Sequence, residues 1–127
     1  MSIKYNVIER GEPGVEGGGT KKYYASTITN GTSGIDELSN RIEKISTVSG
    51  ADIRAVLYSI VDVVPELLAN GQIVTIGELG SFRVSISSEP SDTAEEVSAS
   101  NIKKAKILFR PGKKFKTMLA TLEYQKA

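Results

Sequence analysis

Residues 73–86 read IVTIGELGSFRVSI, and the class of fold can be predicted from this segment. Its first four residues are β-branched, which predicts a strand. The glycines at positions 77 and 80 then predict a tight turn, because glycine adopts turn conformations at little steric cost. Alternation resumes at Phe82, Val84 and Ile86, which indicates a second strand. The stretch therefore predicts antiparallel β structure.

Two amphipathic helices are predicted before this stretch. The first begins near Ser33, and the second is capped by Ser49, with Asp52 at its third position. Gly71 is a suitable end for the second helix, and Pro65 inside it predicts a kink. Apolar residues recur at spacings of three and four in both helices. They are Ile35, Leu38, Ile42, Ile45 and Val48, then Ile53, Val56, Leu57, Ile60, Val61, Val64, Leu67 and Leu68.

A third strand and a last helix are predicted after it. The strand covers residues 102–110, and it follows a Ser- and Glu-rich segment, residues 87–101, that carries no core pattern. Alternation assigns the strand residues to two faces. One face carries Ala105, Ile107 and Phe109, and the other carries Lys104, Lys106, Leu108 and Arg110. Pro111 ends the strand, and a short apolar helix that includes Leu122 is predicted to close the chain.

The N-terminal residues predict a separate hairpin. Alternating residues 3–7 and the aromatic and β-branched segment 21–28 lie on either side of a glycine-rich loop, residues 11–19. The predicted order is two strands, two helices, three strands and a helix. This order is typical of an α+β domain with antiparallel sheet.

Length and composition exclude several functions. A chain of 127 residues suits one domain with a short appendage, and its 39% hydrophobic content is that of a globular protein. The sequence has no His and no Cys, which excludes Cys/His zinc sites, Ser-His-Asp triads and disulfides. No apolar run is long enough to cross a bilayer, and the polar N-terminus does not resemble a secretory signal. We expect a cytoplasmic protein.

The formal net charge of +1 hides a segregated chain. Residues 1–96 carry 8 basic and 14 acidic residues, whereas residues 97–127 carry 8 basic and 1 acidic residue. The two parts therefore have net charges of −6 and +7. Such a basic block is either a solvated surface or the binding site of a polyanion. Charge alone leaves both interpretations open.

Two motifs resemble the bacterial HU/IHF family of histone-like proteins. Gly80-Ser81-Phe82 matches the family's glycine, small polar residue and Phe, which come after the strand that follows its second helix. Phe109-Arg110-Pro111-Gly112-Lys113 resembles the signature that opens its last helix. With the two capped helices, the resemblance covers about two-thirds of the chain. It implies an N-terminal β extension over residues 1–31 and an HU/IHF-like domain over residues 32–127. Residues 85–104 would form that domain's protruding two-stranded arm.

The resemblance implies an intertwined homodimer whose arms reach around duplex DNA and bend it. It also implies a bacterial, nucleoid-associated protein without catalytic residues, metal or cofactor. The resemblance places the basic residues of this chain on the side of the domain that faces DNA in the family, and this predicts the DNA-binding residues. They are Arg83, Lys103, Lys104, Lys106, Arg110, Gly112, Lys113, Lys114 and Lys116. At the last helix, free N–H groups behind Pro111 would add an anion site.

The arm departs from the family pattern. Residues 87–96 are net acidic where the family is rich in Arg and Lys, and Pro90 lies too early for the family's wedge position. Glu95 with Glu96, and Glu89 with Asp92, are compatible with an acid/base pair or a Mg²⁺ site, but they lack hydrophobic neighbours, so a solvated loop is the better interpretation.

Two further segments keep alternative interpretations. Residues 17–22 (GGGTKK) suggest a phosphate loop, but the Walker order places Lys before Ser/Thr and opens a helix, so a hairpin loop is favoured. Lys21 and Lys22, beside Tyr23, are either an auxiliary nucleic-acid contact or the protection of an exposed strand edge.

Two functions remain open on the sequence. The favoured one is a dimeric, non-enzymatic protein that binds double-stranded DNA with little sequence preference and organises or bends it. The alternative is a protein-interaction or assembly module that kept the scaffold, lost DNA binding and uses the acidic arm to bind a protein partner.

Overall fold

The computed structural model describes residues 2–127, which fall into two compact units. One unit contains the residues up to Gly34 together with Met118–Ala127, and the other contains Ile35–Thr117. The helices and strands are β1 (Ser2–Arg10), β2 (Lys22–Ile28), α1 (Ile35–Ile45), α2 (Gly50–Ala69), β3 (Val74–Ile76), β4 (Gly80–Ser88), β5 (Ile102–Pro111), α3 (Lys113–Ala120) and β6 (Glu123–Lys126).

The first unit is built on a three-stranded sheet in the order β2-β1-β6. β1 and β2 form the predicted antiparallel hairpin, and β6 runs parallel to β1 with Ser2 opposite Glu123. The prediction that a helix closes the chain is therefore wrong. At Thr121 the N–H bonds to the Met118 carbonyl oxygen at 3.1 Å, a tight last turn that ends α3 before Leu122. The open edge of β1 then offers backbone partners to residues 123–126.

The helices of the second unit follow their sequence signals. α1 begins at Ile35, and α2 begins after Ser49, whose hydroxyl accepts a hydrogen bond from the Asp52 N–H at 3.3 Å. α2 runs through Pro65 without interruption and ends before Gly71, which has φ of 82°. A serine cap and a left-handed glycine therefore set the two ends of the longest helix.

The second sheet has the order β3-β4-β5 and is antiparallel throughout. Phe82 in β4 lies opposite Phe109 in β5, with ring centroids 4.9 Å apart. The Phe109 ring meets Phe115 of α3 edge-on at 5.8 Å. These distances are those of favourable aromatic pairs, so the three rings attach the start of α3 to the sheet.

Close backbone packing joins the turn before β4 to the junction between β5 and α3. The Gly112 N–H donates to the Leu79 carbonyl oxygen at 2.9 Å, and a Cβ at Gly112 would collide with the Glu78 carbonyl group. At Gly80, with φ of 147°, a Cβ would collide with the Arg110 carbonyl oxygen. Glycine is required at both positions because only hydrogen fits there.

The buried core of the single chain is small. Among residues 2–127, only Ile53 and Leu68 are buried apolar side chains. On α2, Val56 and Val61 remain 58% and 57% exposed, which is unusual for a helix of an isolated domain. No helix in the described part of the chain combines the length and apolar character needed to cross a membrane.

We expect Gly112→Ala to lower the free energy of unfolding by about 1–3 kcal/mol, because the backbone around Glu78 must shift to admit the methyl group. Urea unfolding followed by circular dichroism measures the change. Gly34→Ala is the matched control, since nothing lies within 4 Å of its added Cβ. Equal urea midpoints for Gly112→Ala and the wild type would contradict the packing described for this junction.

Candidate nucleic-acid interface

The register of β4 and β5 separates their side chains into two chemical faces. On one face, Phe82 pairs with Phe109, Val84 with Ile107, and Ile86 with Ala105. The residues between them form the opposite face, because successive strand residues point to opposite sides. We call this the polar face. It consists of Ser81, Arg83, Ser85, Ser87, Lys104, Lys106, Leu108 and Arg110.

The polar face carries four cations and three serines and no carboxylate. Each serine lies directly across from a cation, as Ser85 does from Lys106 and Ser87 from Lys104. These four residues, with Ile86, line a shallow groove of about 170 Å³. Lysine, arginine and serine are the usual donors to nucleic-acid phosphates, so the composition suits a polyanion.

The cations of the polar face are not neutralised by carboxylates of the described residues. Lys104, Lys106 and Arg110 are exposed and form no ion pair among residues 2–127. Lys103 differs, because it precedes the regular pairing at a bulge between Ser87 and Ser88, and its amino group lies 3.7 Å from a Glu89 carboxylate oxygen. The uncompensated charge is therefore concentrated from Lys104 to Arg110.

The predicted residues near α3 divide into two groups. The amide of Gly112 is already bonded to Leu79, so it is not available to a phosphate, and Gly112 serves close backbone packing instead. Lys113, Lys114 and Lys116 are exposed at the start of α3 and form no ion pair in the described part of the chain. They place three more positive charges just after the strand that carries the polar face.

Beyond the bulge, residues 89–101 form a closed arm tip with two short 3-10 turns. Asn101 organises it. Its side-chain Nδ2 donates to the Ser91 hydroxyl at 2.9 Å and to the Glu89 carbonyl at 3.3 Å, and its Oδ1 accepts from the Ser98 N–H at 2.9 Å. The Glu89 N–H bonds to the Asn101 carbonyl oxygen at 2.7 Å. The tip is thus a defined structure.

The tip reverses the sign of the arm's charge. It holds Glu89, Asp92, Glu95 and Glu96 and no Lys or Arg. Apart from the Glu89–Lys103 pair, these exposed carboxylates have no cationic partner among residues 2–127. The same residues contain no cluster of three or more Asp or Glu that could hold a metal ion.

Of the candidate auxiliary residues, Lys22 lies in β2 of the N-terminal sheet, and Lys21 directly precedes that strand. Lys22 lies 3.2 Å from a Glu12 carboxylate oxygen, and the Tyr24 ring is stacked by the Arg10 guanidinium at 5.1 Å. Tyr23, on the opposite face, is 72% exposed. Of the two lysines, Lys21 alone remains unpaired among the described residues.

The Glu37 carboxyl, which lies on α1 outside the polar face, has a shifted pKa. Arg41 Nε donates a hydrogen bond to Glu37 Oε1 at 2.8 Å within α1. This hydrogen bond and the guanidinium charge lower the pKa of the Glu37 carboxyl below its usual value.

Sequence reasoning missed two features of the interface. The serines of β4 alternate with apolar residues, and this alternation places them on one face of the strand. Their position opposite the cations of β5 follows only from the register between the two strands. Asn101 gave no signal, because its partners Glu89 and Ser91 lie 12 and 10 residues away.

These features define an α+β domain with a helical part, an antiparallel sheet and a two-stranded arm that is cationic where its two strands are paired. A family model described as "HU domain fused to wHTH, Ig, or Glycine-rich motif" matches residues 1–126. The chain therefore belongs to this HU family, which confirms the resemblance and the α+β, HU-like fold predicted from the sequence.

Solved structures share this fold. A Bacteroides vulgatus protein, provisionally assigned as DNA-binding, is similar over 99% of this chain with a TM-score of 0.65 and 12% identity. This chain spans about half of that protein, 49% of its length. Anabaena HU in a DNA cocrystal matches 70% of this chain and 99% of its own, with a TM-score of 0.52 and 21% identity. Comparison with curated proteins gives no match.

We expect Asn101→Ala to open the arm tip without unfolding the domain, because it removes the side-chain bonds that join residues 89, 91 and 98. A protease that cleaves after glutamate should cut at Glu95 and Glu96 several-fold faster than in the wild type, since cleavage follows local opening. Asn30→Ala, at an exposed position without a side-chain partner in the described chain, should cleave like the wild type. Unchanged cleavage of Asn101→Ala would contradict the role given to this side chain.

Proposed function

We propose that the protein is a non-enzymatic DNA-binding protein that holds duplex DNA on the polar face with little sequence preference. The observation that carries the proposal is the separation of Phe82 and Phe109 from the cations of the same two strands. A face with Lys, Arg and Ser and no carboxylate attracts phosphates of any sequence. Its place of action would be the nucleoid, in the cytoplasm.

The comparisons support the DNA partner. The chain belongs to an HU family, and the Anabaena HU that shares its fold was crystallised with DNA. The predicted contact residues Arg83, Lys104, Lys106 and Arg110 form one exposed surface in this chain. We propose these four as the central phosphate contacts, with Lys113, Lys114 and Lys116 extending them. Lys103 is a peripheral contact, because it is paired with Glu89.

We propose further that the working unit is a homodimer. α2 and β3 border an open groove of about 460 Å³ whose lining is almost entirely apolar. Val56, Ile60 and Val63 lie in it and are 58%, 38% and 48% exposed. Contiguous exposed apolar surface of this kind marks an interaction site. A second copy would bury it and supply the core that the single chain lacks.

The DNA-binding proposal predicts a steep salt dependence that the polar face controls. Replacing Lys104, Lys106 and Arg110 together by Ala should lower the slope of log Kd against log salt by about 2.7 for each chain in the complex, since each lost phosphate contact removes about 0.9. Fluorescence anisotropy with duplexes of two unrelated sequences measures both the slope and the sequence preference.

The matched control removes three exposed lysines elsewhere, Lys4, Lys44 and Lys126. It changes the net charge equally, so it separates a local contact from a general charge effect. Equal slopes for the two triple variants, or no duplex binding by the wild type at low salt, would refute the proposed interface.

The homodimer proposal predicts that a charge in the groove prevents association. Val56→Glu should give a monomeric species, partly unfolded, because the carboxylate would be buried without a partner. Analytical ultracentrifugation should find twice the 13.6 kDa chain mass for the wild type. Val15→Glu is the control, since Val15 is 45% exposed in the N-terminal hairpin loop. A dimer that survives Val56→Glu would contradict this interface.

The alternative function, a protein-interaction module, is favoured by one observation. The closed tip presents Asp92, Glu95 and Glu96 unpaired beside Val97, which is 54% exposed. A basic protein partner would fit such a surface. This alternative becomes the better one if duplex binding is absent at low salt while the dimer is intact.

A further inference from the structure

We infer that the arm tip acts as an electrostatic stop: its carboxylates repel DNA phosphates and end the DNA contact at the bulge. No side chain of the tip is then inserted between base pairs of the duplex. The inference rests on the proposed function, because it concerns how far the same polar face extends along DNA. It gives the tip carboxylates a specificity-determining role, since they would restrict the protein to undistorted duplex.

The position of the charge reversal is set by the strand register. From Arg110 to Lys104 the polar face spans about 20 Å, at about 3.4 Å for each residue. Regular pairing breaks between Ser87 and Ser88, and Glu89 begins the acidic segment immediately afterwards. A duplex lying along the arm would therefore meet cations up to the bulge and carboxylates beyond it.

The tip carboxylates would oppose binding beyond the bulge. Asp92, Glu95 and Glu96 have no cationic partner among residues 2–127, so their charges act in full on an approaching phosphate. Like charges at contact distance repel one another in water, and they repel more strongly where water is partly excluded. Cations release counterions from DNA when they bind, whereas carboxylates beside phosphates retain them.

The hydrogen bonds of Asn101 make this repulsion difficult to avoid. They tie together residues 89, 91 and 98, so the tip cannot move away as a loose loop without breaking them. The middle of the tip is the 3-10 turn Ala94–Glu96. Its large side chains, Glu95 and Glu96, are carboxylates that directly precede the exposed Val97. A side chain that wedges between base pairs must be apolar, so Val97 could act as a wedge only by bringing these two charges against the phosphates.

The stop has a consequence for DNA shape. Base pairs are unstacked most easily at a nick or a four-way junction. A protein that inserts no side chain between base pairs does not need this unstacking, so it has no reason to prefer such DNA. The protein should therefore bind linear, nicked and four-way DNA within about twofold of one another, and it should leave the end-to-end distance of a linear duplex unchanged. The bending implied by the resemblance would not occur.

The test compares two variants that each remove three unpaired carboxylates. The tip variant is Asp92→Asn, Glu95→Gln and Glu96→Gln, which leaves the Glu89–Lys103 pair intact. The control is Glu9→Gln, Glu16→Gln and Glu123→Gln, which changes the net charge equally in the other unit. Hydroxyl-radical footprinting, the salt slope and the transfer efficiency between dyes at the two duplex ends are measured for both variants and the wild type.

We expect the tip variant to lengthen the footprint by several base pairs on each side, to steepen the salt slope and to bind roughly three- to tenfold tighter at low salt. The control should keep the wild-type footprint. Equal footprints and slopes for the two variants would overturn the stop, as would wild-type DNA bending that brings the duplex ends together.

Failure of the stop is distinguishable from failure of the proposed function. A wild-type protein that binds duplex while the tip and control variants behave alike refutes the stop alone. If the wild-type protein does not bind duplex DNA but the tip variant does, the proposed function is refuted and the stop is supported. Absence of binding by wild type and tip variant together overturns both.

Discussion

The antiparallel register of β4 and β5 is the constraint on which the rest depends. Because side chains alternate across a sheet, pairing Phe82 with Phe109 obliges the neighbouring positions to face the other way. The same register that packs aromatic rings therefore presents Lys106 and Arg110 on the opposite face. A shift of the register by one residue would bury the cations and expose the aromatic rings. The register therefore determines both the packing of the rings and the composition of the binding surface.

The two family motifs stabilise this register from one end. Gly112 bonds to the backbone before Gly80, and both positions exclude any side chain. Phe115 then continues the ring contacts from β5 into α3. The motifs are far apart in sequence, but they form one junction, which explains why they occur together. At the other end the register breaks at Ser87 and Ser88, and the acidic tip begins there.

Much of this could be predicted from the sequence, because the deciding signals are local. The cap at Ser49, the helix end before Gly71 and the alternation of β5 each depend on a few neighbouring residues. β6 could not be predicted, since it pairs with β1 across more than 100 residues of sequence. The bonds of Asn101 cross the arm and carry no sequence pattern. Alternation alone places Lys104, Lys106 and Arg110 on one face of β5, but placing the serines of β4 opposite them requires the register between the two strands.

Site-specific crosslinking can show which face of β4 and β5 meets DNA, because the chain has no cysteine of its own to interfere. Single cysteines at Ser85 and Leu108 lie on the polar face, and single cysteines at Ala105 and Ile107 lie on the apolar face. None of these substitutions removes a charge. With a short photoreactive group attached, positions 85 and 108 should crosslink to duplex DNA, and positions 105 and 107 should not. Equal crosslinking from both faces, or crosslinking from 105 and 107 alone, would contradict the proposed interface.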